Sequence, residues 1–132
     1  MAKEAGFPFT VEVDTEADAL TDISNDVTNH SFATPRAVQD VTGVDKSAME
    51  RQLLLADFSV TLNGVFNDLL SHLVFKTVPS GSLVRDTDLT ISGQSLDNDC
   101  LFTDYALTRA QNGALTWAAP GVLADGTVPT WT

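Results

Sequence analysis

Residues 56–68 read "ADFSVTLNGVFND", and the way this stretch folds sets the architecture of the chain. Phe58, Val60 and Leu62 alternate with Ser59, Thr61 and Asn63, the period-two pattern of a strand with one buried face. The Asn63-Gly64 pair has the composition of a tight hairpin turn. A turn there would leave only Val65 and Phe66 before the helix-capping residues Asn67 and Asp68, too little for a partner strand. The spacing therefore predicts one strand over 57–66 that runs through Gly64, with the glycine at a bulge or at a close approach to a neighbour. With Asn67 and Asp68 committed to capping, an acidic ion-binding loop loses its ligands.

Downstream, "NDLLSHLVFKTV" predicts a helix with Leu69, Leu70, Leu73 and Val74 on its apolar face, stopped by Pro79-Ser80-Gly81. "LVRDTDLTISG" reads as a strand. "CLFTDYALTR" places Leu101, Thr103, Tyr105 and Leu107 on one face, and Asn112-Gly113 turns it into a second strand, so 100–118 reads as a hairpin. "DGTVPTWT" is a last extended piece. Upstream, "FTVEVD" (9–14) alternates strictly, and "AVQDVT" (37–42) is another strand. "SAME" is a capping box, Ser47 with Glu50, opening a two-turn helix through Leu53 and Leu54.

Between them lies a polar stretch, 14–36, free of Lys and Arg until Arg36 and rich in carboxylates. It predicts an exposed arm or long hairpin, with Asp14, Glu16, Asp18, Asp22, Asp26, His30 and Phe32 as its candidate contact residues. The sum is about seven short strands, two short helices and one arm: a mainly β fold, a β-sandwich or small barrel with a flanking helix. The 132 residues suit a single domain, 1–132.

Hydrophobic residues make up 43% and charged residues 19%, a globular composition. No apolar run is long enough to span a bilayer, and the first residues carry no apolar signal-like core. The net charge of −11 argues against a basic phosphate-binding patch. One cysteine excludes an intrachain disulfide framework.

Chemical motifs are sparse. His30 and His72 lack metal-ligand spacing. Cys100 opens an apolar strand, as a buried inert thiol would. "DNDC" (97–100) starts like a calcium loop but lacks the glycine and the distal glutamate, which favours a solvated turn between strands. Asp97, Asp99 and Asp104 remain the candidates for a metal-dependent hydrolase, and Trp117 with Trp131 those for a sugar-stacking platform. No phosphate loop, dinucleotide fingerprint or nucleophile elbow is present. No cofactor, catalytic residue or metal ligand is expected.

Three segments together, "VQDVTGVDKSAMERQLLLADFSVTLNGVFND", "SHLVFKTVPS" and "CLFTDYALTRAQNGALTWAAPGVLADGTVPTW", resemble the major tail tube proteins of long-tailed, non-contractile bacteriophages. Type VI secretion tubes and contractile-phage tubes share that fold. The resemblance implies a structural virion protein, not an enzyme. Hexameric rings would stack into a tail tube with an acidic lumen through which genomic DNA passes without specific binding. It implies that 14–36 reaches a neighbouring subunit and that Phe58, Val60, Leu62 and Gly64 belong to a ring-wall strand. Expected partners are further copies of the chain and the tape-measure, baseplate or tip, and tail terminator proteins, with no membrane. Assembly in the host cytoplasm, a place in the virion tail and the absence of a C-terminal decoration domain are also expected. The alternatives are a ring-forming tail terminator or head-tail connector and a carbohydrate-binding sandwich.

Overall fold

Ser59–Val65 is one uninterrupted strand, as the alternation requires. In the computed structural model, which describes residues 9–15 and 19–132, the elements follow in the order β1 (Phe9–Asp14), β2 (Leu20–Asp22), β3 (Val27–Ala33), β4 (Arg36–Asp40), β5 (Arg51–Ala56), β6 (Ser59–Val65), α1 (Ser71–Phe75), β7 (Arg85–Ile91), β8 (Gln94–Phe102), β9 (Ala106–Arg109) and β10 (Leu115–Leu123). Glu16 and Asp18 lie outside the described residues.

The main sheet is antiparallel in the order β2-β1-β7-β8-β10-β6-β3, with β9 beside β10. Its two edge strands, β2 and β3, are joined by the short turn Ile23–Asp26, so the sheet rolls up on itself. Hydrogen bonds from Ile23 N to Val11 O (2.9 Å) and from Val11 N to Ser24 Oγ (2.8 Å) tie that turn to β1. Farther along the seam, the Phe9 and His30 rings stack with centroids 3.7 Å apart. The result is a flattened barrel of the β-sandwich kind. Val11, Val13, Phe58, Val60, Leu62, Leu89, Leu96 and Trp117 fill it, each buried.

Gly64 is a close approach. A Cβ there would collide with the Asp26 carbonyl oxygen and lie 2.7 Å from the Trp117 ring. The bulge falls on the partner strand instead, where the β3 register shifts between Val27 and Asn29. The 100–118 hairpin forms, with Gly113 at φ +93° in its turn. Its first strand breaks at 103–105, so Leu101, Thr103, Tyr105 and Leu107 do not share one continuous face. The break lies where β10 exchanges β9 for β8, and Pro120, which has no N–H to offer that edge, sits there.

Four expectations are corrected. The described part of the polar stretch 14–36 joins the main sheet through the end of β1, β2, the turn and β3 as far as Ala33, and Arg36 opens β4; Ile23 is fully buried. Residues 47–54 do not form a helix. The Glu50 amide donates to Thr42 Oγ1 (2.8 Å) rather than to Ser47, and β5 pairs with β4 in a separate two-stranded hairpin. The second helix shrinks to Ser71–Phe75, with Val74 and Phe75 buried but Leu69 and Leu73 exposed. "DNDC" belongs to β8; the preceding turn is at Ser92-Gly93, whose φ values are +51° and +78°. Short polar side chains that bond backbone groups across the fold override local helix propensity in the first of these helices.

Candidate assembly surfaces

Three surfaces stand out. The first is the β4–β5 hairpin. Every residue of β4 is exposed, and all of β5 except Ala56. Val38, Val41, Val44, Met49, Leu53 and Leu55 are exposed, Val41 least at 39% and Val44 fully. Two-stranded hairpins are marginal in water by themselves, and this one leaves apolar side chains without a covering layer. Its root forms an open groove lined by Arg36, Leu53, Leu54, Leu55, Ala56 and Val128. Arg36 Nε donates to Leu54 O (2.9 Å), which fixes the guanidinium at the rim.

The second surface is the outward face of β2-β1-β7-β8. Cross-strand pairing sets Asp22 opposite Glu12, Glu12 opposite Asp88, and Asp88 opposite Asp97, with Asp86 opposite Asp99 in the next row out. Four adjacent strands thus present a continuous row of carboxylates, an arrangement that like-charge repulsion disfavours. Burial, a hydrogen bond to Asp86 and the charges of Asp86, Asp97 and Glu12 push the Asp88 carboxyl up to about 7. The outward residues of β10, β6 and β3, including Ala118, Pro120, Ser59, Thr61, Asn63 and Ser31, are small and uncharged. The sheet exterior is therefore acidic on one half and neutral on the other.

The third surface is the pole carrying α1. Asp26, buried, accepts from Ser71 N through Oδ2 (3.1 Å) and from Asn67 Nδ2 through Oδ1 (3.2 Å), and so anchors the helix to the β2–β3 turn. Arg85, also buried, donates from Nη1 to Asp14 O (2.8 Å) and Val74 O (2.6 Å), and from Nη2 to Thr77 Oγ1 (2.8 Å). These bonds leave Asp68, Leu69 and Leu73 facing solvent, Leu69 at 77% exposure.

The residues expected in an inter-subunit arm are thus dispersed. Asp14 and Asp26 are internal braces. Asp22 accepts from Ser24 N (2.9 Å) and Ser24 Oγ (2.5 Å) in the closing turn. His30 and Phe32 line the seam, where Phe32 also meets Trp131 at 5.9 Å. Phe58, directly before β6, and Val60 and Leu62 within it are buried in the core. Trp117 is buried and donates from Nε1 to Val65 O (3.0 Å), so it offers no platform with Trp131. Cys100 is buried, and burial pushes its thiol up to about 11. Among the described residues, no three Asp, Glu, His or Cys side chains are placed to hold a metal ion. The exposed hairpin escaped the sequence reading because the Ser47–Glu50 pair imitates a helix start; "QLLLA" without an alternating polar face was its remaining trace.

No family model and no curated relative matches the sequence. Solved structures do. The chain superposes with a TM-score of 0.82 on a chain from the tail of an empty GTA particle refined with helical, C6 symmetry, at 15% identity over 98% of this chain and 99% of that one. A chain from the virion of a native gene transfer agent particle gives 0.80 at 16% identity, over 98% and 99%. At such identity the likeness is one of fold, and it extends over nearly the full length of both chains.

Proposed function

We propose that this chain is a structural subunit of a phage-like tail. Its copies form hexameric rings that stack into a tube, the conduit for the genome. The observation that carries this reading is the end-to-end likeness, at a TM-score of 0.82, to a chain of a tail with C6 symmetry. The surfaces agree with it. An exposed apolar hairpin suits contact with a neighbouring copy, a role assigned here to 36–56 in place of 14–36. The carboxylate face, with Asp88 at its centre, suits a channel wall that repels phosphates. On this reading β6 is a wall strand, the protein is not an enzyme, it resides in the virion tail after assembly in the host cytoplasm, and it meets tape-measure, tip and terminator proteins at the tube's interior and ends.

The test is electron microscopy of the purified full-length chain, beside a variant in which residues 38–54 are replaced by a short Gly-Ser link. The expected result is six-fold rings or tubes for the intact chain and monomers for the shortened one. A wild-type chain that stays monomeric across the concentration range rejects the proposal. Isolated single rings with no stacking would move the assignment to a tail terminator or head-tail connector.

A further inference from the structure

Resting on the tube reading, we infer that the groove at the hairpin root is the socket for the α1 pole of the next copy, with Leu69 and Leu73 seated among Leu53, Leu55 and Val128 and Asp68 meeting Arg36.

The two surfaces lie at opposite ends of the same barrel. Ser59, where the chain enters β6 from the hairpin, pairs with Ala33 and Val122; Val65, where it leaves toward α1, pairs with Thr116. The seven residues between the two ends span roughly 20 Å at the rise of a strand. A groove at one end and a knob at the other cannot satisfy each other within one chain. Between copies related by translation along the barrel they meet, and the contact repeats without closing on itself. That is the geometry a growing tube needs, whereas a two-fold contact would stop at a dimer.

Chemistry matches on both sides. The groove, about 670 Å³, is lined by aliphatic side chains with one cation at its rim. The knob is two exposed leucines, with the Asp68 carboxylate before Leu69 and the exposed Lys76 at the far end of α1, three residues past Leu73. The occupant must also tolerate the chain's charge. Residues 36–56 contain Arg36, Lys46 and Arg51 against Asp40, Asp45 and Glu50, so they are formally neutral, and the net −11 lies wholly outside them. The hairpin is therefore a surface another acidic copy can approach without net repulsion.

The experiment measures the lowest protein concentration that supports tube growth, by light scattering and microscopy. Asp68→Arg and Arg36→Glu should each raise it at least about tenfold, and the double reversal should return it to near the wild-type value. Leu69→Asp should abolish stacking while circular dichroism stays unchanged, since Leu69 is solvent-facing. As a second measurement, oxidised Leu69→Cys/Val128→Cys should give a disulfide ladder of many copies, and either single variant at most a dimer; buried Cys100 does not interfere. Wild-type tubes together with normal stacking of Leu69→Asp, or a double reversal no better than the worse single one, overturn the socket and leave the tube reading standing. A wild-type chain that forms neither rings nor tubes overturns both.

Discussion

Asp88→Asn should stabilise the folded monomer at alkaline pH and flatten its pH dependence. Asp88 stands between Glu12 on β1 and Asp97 on β8, with Asp86 beside it on β7 and Asp22 one strand beyond Glu12. Directly opposed Cβ atoms lie ~5 Å apart, and two unit charges at that distance repel by about 0.8 kcal/mol even in bulk water. The folded state meets this by retaining a proton: the Asp88 carboxyl rises from its ordinary 3.8 to about 7. Between those values the folded chain binds more protons than the unfolded one, so stability falls as pH rises through the window. Below it the carboxyl is protonated in both states and the penalty vanishes; above it the penalty is complete. The ceiling is about 4 kcal/mol. Because the side chain is partly exposed, solvent and salt screening reduce this to roughly 1–2 kcal/mol.

Asparagine keeps the shape, removes one charge and can donate to Asp86. Urea melts of both proteins at pH 5 and pH 8, at low salt and below the concentration of assembly, read the effect. The expected result is a variant more stable by ~1–2 kcal/mol at pH 8, with roughly a third of that difference at pH 5, which lies inside the window between 3.8 and about 7. Equal slopes with pH, or a variant less stable at pH 8, would refute the claim that the carboxylates are crowded in the folded state.

Gly64→Ala should destabilise by about 3 kcal/mol or more, because the new methyl meets the Asp26 backbone carbonyl, which cannot rotate away, and the buried Trp117 ring; a midpoint within ~0.5 kcal/mol of wild type by chemical melt would contradict the packing described. Arg85→Ala should cost about 3–5 kcal/mol, since it strips donors from Asp14 O, Val74 O and Thr77 Oγ1 and opens a cavity; calorimetry should record a large fall in Tm. Cys100 should resist a thiol reagent in native protein at pH 8 and react at the unfolding rate once denaturant is added, because burial disfavours its thiolate; rapid native labelling would place it elsewhere.

Much of the β framework was legible in short-range patterns. The strand through Gly64, the 9–14 strand and the Asn112-Gly113 turn each rest on alternation or on a residue suited to positive φ, and both signals are local. The errors share a cause as well. Residues 47–54 have a capping box and end on two leucines, yet Thr42, eight residues from Glu50, takes its amide. The carboxylates of 14–36 suggested a solvated arm, but Asp26 is consumed in bracing α1, and Ile23 carries the core burial that the polar composition hid. The Thr42 bond depends on the chain turning back between the two residues, and the Asp26 bonds join residues more than 40 apart, which no window of one element's length contains. The same holds for the carboxylate row: Asp22, Glu12, Asp88 and Asp97 come from four strands and become neighbours only through register.

Charge and apolar surface are segregated in this molecule, and the segregation bears on how copies associate. The net −11 lies outside residues 36–56, while exposed aliphatic side chains concentrate on that formally neutral hairpin and on the α1 pole. Association through hairpin and pole buries apolar area without pressing carboxylate rows together. In the proposed ring the rows gather around the channel, where mutual repulsion opposes closure and grows as salt is diluted. Ring and tube formation should therefore strengthen with ionic strength, the reverse of an interface held by ion pairs, while the Arg36–Asp68 contact weakens slightly. The balance of the two effects is set by number: one cation–anion pair per axial contact against at least four carboxylates per copy around the channel. Repulsion dominates, so screening favours the tube.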